Sequence, residues 1–175
     1  MCRLPLPSDD IRQIKYFTAM VKARINDPDK PLRQKTYLRA LRTIANFEIV
    51  LGSFLSHEVI MPLSPPNIGY AKVIKTEEKG SDVNLATHLL VDGFRDKYDL
   101  AVVVSNDSDL LEPIRFVRKE LGKPVGLLNP HKNPSVELLP NALFIKQIRK
   151  GVLANSIFPD TLIDANGSFS KPMNW

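Results

Sequence analysis

The hydrophobic pattern is clearest between residues 81 and 128. Val83, Ala86, Leu89, Leu90, Gly93 and Phe94 recur at helical spacing and predict a helix over 81–95, with Ser81 or Asp82 capping its start. Leu100 to Ser105 begins with the unbroken apolar run Leu-Ala-Val-Val-Val. Continuity in place of alternation predicts a strand buried on both faces, as in a parallel sheet. Helical spacing returns at Leu110, Ile114, Val117 and Leu121, so a second helix spans 109–121 and ends at Gly122-Lys123-Pro124. Val125 to Leu128 is the next strand, 134–139 a short helix, and Leu143 to Ile148 a last strand.

Upstream the signals are shorter. Ile14, Tyr16 and Phe17 mark a strand over 11–20. Pro31 is placed to open a helix running to about Ala45, with Tyr37, Leu38, Leu41 and Ile44 on its apolar stripe. Its other positions carry Arg33, Lys35, Arg39 and Arg42, and no acid lies between Lys30 and Phe47. Phe47 to Leu51 reads as a short strand. Phe54 to Met61 and Tyr70 to Thr76 read as two extended segments paired in a hairpin arm, joined by the proline-rich loop 62–69. After Gly151 the pattern dissolves into a tail. The organisation expected is one domain over 1–150 and a C-terminal tail over 151–175. Strands alternating with helices through short connections specify an α/β layered fold with a mainly parallel sheet.

Composition narrows the function classes modestly. The 175 residues suffice for one domain with a sizeable core. A net charge of +5 and a pI near 9.3 favour a polyanionic partner, although charge speaks to association and not to fold. A single cysteine, Cys2, excludes an intrachain disulfide and fits a reducing compartment. No apolar run reaches transmembrane length, and the first ten residues carry no signal-peptide core. The expectation is a cytoplasmic protein with no membrane partner.

The candidate chemistry sits in Ser105-Asn106-Asp107-Ser108-Asp109, directly after the strand over 100–105. Carboxylates crowded at a strand mouth need a cation, a proton or several hydrogen bonds. The carboxyl ends of strands are also where open α/β sheets place ligands. Asp109 has an ordinary alternative role as a helix N-cap; Asp107 is harder to account for in that way. A second acidic cluster, Glu77-Glu78-Lys79-Gly80-Ser81-Asp82, precedes the 81–95 helix and would aim Asp82 into the same crevice. Three carboxylates there would repel one another without a cation, and an all-oxygen donor set suits Mg²⁺ or Mn²⁺. Three histidines and one cysteine at no regular spacing do not make a zinc site.

The segment Glu78-Lys79-Gly80-Ser81-Asp82-Val83-Asn84-Leu85-Ala86, followed by Val102-Val103-Val104-Ser105-Asn106-Asp107-Ser108-Asp109-Leu110, resembles the NYN domain of the PIN-like nucleases. The likeness continues through Gly122-Lys123-Pro124-Val125-Gly126 and Leu128-Asn129-Pro130-His131 and covers about residues 11–150. It implies a three-layer α/β/α sandwich and a metal-dependent ribonuclease, with Asp82, Asp107 and Asp109 as metal-holding carboxylates. Asn106 stands where many members have glycine. The family pattern opens on a hydrophobic central strand ending in Asp-Gly-x-Asn, whose aspartate is a further ligand, and the chain has no such segment. Asp92-Gly93-Phe94 is a false echo inside the 81–95 helix. The chain therefore reads as starting about 30 residues late, roughly one βα unit. It is expected to be a truncated product or a degenerate member. Without a central strand, the two neighbouring strands have exposed edges that must close together or be filled by another chain.

The resemblance further implies Mg²⁺ or Mn²⁺ activating water against an RNA phosphodiester. Lys75, Lys79 and Arg115 would lie near the phosphate path, and Ser105, Asn106 and Ser108 would orient ligands or phosphate. His131 is a weaker candidate for substrate contact. Partners expected are RNA and a second copy or other chain. The competing reading is a catalytically degenerate RNA- or protein-binding module, with the basic helix over 31–45 as its surface. A phosphatase or phosphotransferase on a similar scaffold is a third reading.

Overall fold

In the computed structural model, residues 5–24 and 26–173 are described; Cys2 and Trp175 lie outside them. The chain is mixed α/β with parallel ladders. In order it forms β1 (Ile14–Ala19), α1 (Lys30–Leu41), β2 (Phe47–Pro62), β3 (Tyr70–Lys79), α2 (Ser81–Phe94) and β4 (Ala101–Val104). A 3₁₀ turn over Ser108–Leu110 leads into α3 (Leu111–Lys119), followed by β5 (Val125–Asn129), a 3₁₀ turn over Leu139–Asn141, and β6 (Ile145–Gln147). The chain then forms α4 (Lys150–Ala154) and the hairpin β7 (Thr161–Asp164) and β8 (Gly167–Ser170).

The sheet is split. β1 and β2 run parallel, and β4, β5 and β6 form a separate parallel set in that order. Among the described residues β1 pairs only with β2, and β4 pairs only with β5. β4 is thus an edge strand, and Val104 is 42% exposed. The expectation that the Leu100–Ser105 run is buried on both faces is corrected; that property belongs to β5, every residue of which is buried. An apolar strand with a free edge is a template for further pairing.

One helix lies against both halves. On the first half, Lys15 of β1 forms an ion pair with Asp92 of α2 and bonds His88 Nδ1 at 2.8 Å, while Phe17 meets the His88 ring edge-on at 5.5 Å. On the second half, Leu89 packs into a core with Val103, Leu110, Ile114, Val117, Val125, Leu127 and Leu138. The Tyr98 hydroxyl donates to the Leu89 carbonyl at 2.7 Å, and burial, with Asp92 nearby, pushes its pKa up to about 12. Burial also pushes the Asp92 carboxyl up. Hydrogen bonds and charge from Lys15 and Lys97 outweigh that, and the net displacement is downward. Asp92-Gly93-Phe94 lies within α2, and the Asp92 carboxylate is bound by Lys15 and Lys97.

Several element expectations change. The segments at 47–51 and 54–61 are one 16-residue strand. Its first six residues pair with β1, and from Ser53 it pairs with β3 to form the expected arm. α1 ends at Leu41, before Ile44, because the chain turns through Asn46 at φ 59° into β2. Neither Ser81 nor Asp82 caps α2; its N-cap is Gly80. Val83 and Phe94 do not join the buried stripe and are 68% and 80% exposed. The segment at 134–139 is a turn followed by the 3₁₀ turn.

The segment after Gly151 holds regular structure. The Arg39 guanidinium donates to both Asp164 oxygens at 2.7 Å and lies 4.1 Å over the Phe169 ring, clamping the β7–β8 hairpin to α1. The same contact holds the Asp164 carboxyl down to about 2. Arg33 is likewise committed, to Asp27 at 2.7–2.8 Å. Two of the four basic residues expected to face outward from α1 are thus bound within the chain.

Lys15 is the polar link between β1 and α2. Lys15→Met leaves the Asp92 carboxylate with Lys97 alone, and the expected loss is about 2–3 kcal/mol. Urea denaturation measures it; a loss below about 0.5 kcal/mol would show the link to be dispensable.

Candidate functional site

The sharp turns at residues 78–82 position the first acidic group. Gly80 has φ 90°, a left-handed conformation that glycine adopts without strain, and it opens α2 directly from β3. Gly52, where β2 changes partners, sits against this corner. A Cβ there would meet the Lys79 carbonyl oxygen at 2.5 Å and Ser81 Oγ at 3.1 Å. Close backbone approach thus delivers Asp82 to the first turn of α2. There the free N–H groups and helix dipole favour a carboxylate. Ser81 Oγ donates to Glu78, fixing that side chain at the same corner.

The second group follows β4. The Asp107 side chain accepts from Asp109 N at 3.0 Å and caps the 3₁₀ turn, and Ser105 Oγ accepts from Asp107 N at 3.1 Å. The capping role considered for Asp109 therefore falls to Asp107. Asp109 is left exposed in the turn, and Leu110 beside it is buried in the core.

The three carboxylates lie within one another's field. Burial, then the charges of Asp107, Glu78 and Asp109, push the Asp82 carboxyl above its ordinary value. All three residues are exposed, so the like charges meet at an open, unneutralised acidic crevice. Hard oxygen donors at a strand mouth match Mg²⁺ or Mn²⁺ in chemistry. Among the described residues no three carboxylate, histidine or cysteine side chains stand close enough to hold one ion as placed. The donor set fits a divalent cation; its present spacing does not close around one.

The other expected residues divide. Lys75 and Lys79 flank Glu77 at 2.5 and 3.0 Å and hold its carboxyl down to about 2. Arg115 pairs with Glu112 at 2.6 Å. Asn106 tethers the loop after β5: its Oδ1 accepts from Ser135 N at 2.7 Å, and its Nδ2 donates to the Asn133 carbonyl at 3.2 Å. Ser108 is exposed in the 3₁₀ turn. His131 is exposed, and its backbone is bracketed by the Asn129 side chain through two 2.9 Å bonds.

Two residues take roles that the sequence does not assign them. Glu78, inside the acidic cluster at 77–82 but not among the candidate ligands, is a third acid acting on Asp82, from the end of β3. Asn129 is a buried amide, 2% exposed, at the carboxyl end of β5, where it shapes the loop beside the crevice. An amide ending an otherwise apolar strand is its one sequence signal.

The 6-hydroxy-3-succinoylpyridine 3-monooxygenase HspA of Pseudomonas putida is 28% identical over 178 aligned positions, covering 93% of this chain. The chain spans 57% of that protein's length. A crystal structure of a protein of unknown function from Vibrio parahaemolyticus RIMD 2210633 is similar in fold, with a TM-score of 0.51 at 21% identity. That likeness covers 79% of this chain and 69% of the other. The family model of the NYN domain matches residues 4–146. The acidic corner at Asp82 and the Asp107–Asp109 turn lie inside that match, as do the parallel ladders up to Lys146, and the chain belongs to the NYN domain family.

Proposed function

We propose that this chain is a metal-dependent ribonuclease hydrolysing RNA phosphodiesters. The reading extends to the three-layer α/β/α sandwich and a cytoplasmic setting; among the described residues no helix is long and apolar enough to cross a membrane. The observation that carries it is the raised Asp82 carboxyl, lifted in part by Asp107 and Asp109 from a separate element. Asp82, Asp107 and Asp109 would hold Mg²⁺ or Mn²⁺, with Glu78 beside them. The ion would supply a nucleophilic water and offset charge developing on the phosphate. Asp107 also fixes the turn that carries Asp109, so one side chain sets the position of another. Ser105 in turn fixes Asp107 through its backbone N–H. Lys75, Lys79 and Arg115 would meet the RNA backbone by exchanging their present carboxylate partners for phosphate.

A second reading is favoured by the split sheet and the unclosed donor set: an RNA- or protein-binding module that retains the acidic crevice without turnover. A third follows from the Pseudomonas relative, whose name assigns it a monooxygenase activity on a hydroxylated succinoylpyridine. Incubation of single-stranded and structured RNA with Mg²⁺ or Mn²⁺ separates them. The nuclease reading expects metal-dependent cleavage that falls at least about a hundredfold in Asp107→Asn, the scale of losing a ligand or its support. Equal cleavage by both proteins would contradict the site. Salt-sensitive binding without cleavage would favour the module; consumption of the hydroxylated succinoylpyridine in a parallel incubation with O₂ and a two-electron donor, without RNA cleavage, would favour the monooxygenase.

The Asp82 shift has a sign that can be checked. A raised carboxyl binds its proton more tightly in the folded state than in the unfolded state. Its contribution to stability is therefore greatest at low pH and is lost as pH rises through the raised folded value. Asp82 is exposed, so solvent screens most of this effect; without added metal, Asp82→Asn is expected to melt no lower than wild type at neutral pH. Millimolar Mn²⁺ raises the melting temperature of wild type more than that of the variant. A variant that melts lower, or responds equally to Mn²⁺, would refute the assignment.

A further inference from the structure

A cleft of about 260 Å³ opens between α1 and the segment from residue 156 to 171. Tyr37 stands on the α1 wall, and Phe158, Leu162 and Phe169 form the wall opposite. The Arg39–Asp164 clamp and the stacking of Arg39 on Phe169 hold the second wall in place. None of these residues belongs to the acidic crevice. An apolar cavity of roughly 150 Å³ takes a benzene ring, so this volume suits one ring with a short polar arm and is small for a nucleotide or a peptide. Three aromatic rings in the lining favour a planar aromatic occupant through stacked and edge contacts.

The rim carries one acid and one base, Asp160 and Lys171. A backbone hydrogen bond, Lys171 N to the Asp160 carbonyl at 2.8 Å, holds the two side by side. Yet neither side chain forms an ion pair with the other or with any further described residue. Two opposite charges on the lip of an aromatic cleft complement a ligand that is itself a zwitterion. We propose that this cleft binds a free aromatic α-amino acid. Its ring lies among Tyr37, Phe158 and Phe169, its carboxylate meets Lys171, and its ammonium meets Asp160. The site is independent of the nuclease reading and stands or falls without it.

The test titrates L-tryptophan, L-tyrosine and L-phenylalanine into the full chain by ligand-observed NMR or calorimetry. Saturable one-site binding is expected for at least one of them. Tryptamine, which lacks the carboxylate, should bind the wild type roughly tenfold more weakly, the scale of one charge-assisted hydrogen bond. Lys171→Met should weaken tryptophan by a similar factor and leave tryptamine unaffected. Indole-3-propionate and Asp160→Asn should show the same pairing for the ammonium. Both substitutions are at exposed positions and should leave the melting temperature unchanged. No saturation by any of the three amino acids at millimolar concentration would overturn the proposal. So would tryptophan affinity indifferent to both substitutions, or preference for a nucleoside.

Discussion

Helix α2 is the element on which the rest of the structure depends. The parallel ladders do not form one continuous sheet among the described residues, because β1 and β4 share no hydrogen bonds. What relates the two halves is one helix with a different grip on each. Toward β1 it offers Asp92 and His88 to Lys15; toward β4 and β5 it offers Leu89 to an apolar cluster. A largely buried ion pair is a directional contact, and the apolar cluster is an area contact. Together they fix both position and angle. The same helix carries Asp82 in its first turn. The geometry of the acidic crevice is therefore inherited from the packing of α2.

The crevice is an electrostatic problem that the fold leaves open. Asp82 is raised by burial and then by its acidic neighbours, whereas the acids elsewhere in the chain with displaced values are lowered by lysine or arginine partners. Basic side chains are plentiful, at 24 in the sequence, so the contrast is a matter of placement and not of supply. Lys75 and Lys79 are close in sequence but are spent on Glu77. Lowering such repulsion takes a proton, a movement apart or a cation.

The sequence was most legible where one strong local signal decides the structure. α2, β5 and the hairpin arm follow from periodicity, and the Asp107–Asp109 turn from its place after an apolar run. Legibility ended where distant contacts decide. Gly52-Ser53 looks like a break between strands, but the backbone runs on there and only the pairing partner changes. The β7–β8 hairpin has four-residue strands with little pattern, and its anchor is Arg39, 125 residues away from Asp164. Val104 sits in an apolar run that predicts burial, yet burial of a strand depends on its neighbours, and one side of β4 has none among the described residues. At the site, the sequence marks two acidic clusters, and the structure puts Asp82 of one in the field of Asp107 of the other. The roles of Asn106 as a tether and Asp107 as a cap are not legible, because each rests on a backbone geometry that spacing alone does not specify.

The central claim is that Asp82, Asp107 and Asp109 form one divalent-cation site. Anomalous diffraction from crystals soaked in Mn²⁺ tests it most directly. The account predicts a manganese peak between the first turn of α2 and the turn after β4, with oxygen ligands from these carboxylates at about 2.0–2.2 Å, near the short distances of small hard divalent ions. Manganese elsewhere on the surface, with the crevice empty at saturating concentration, would contradict it.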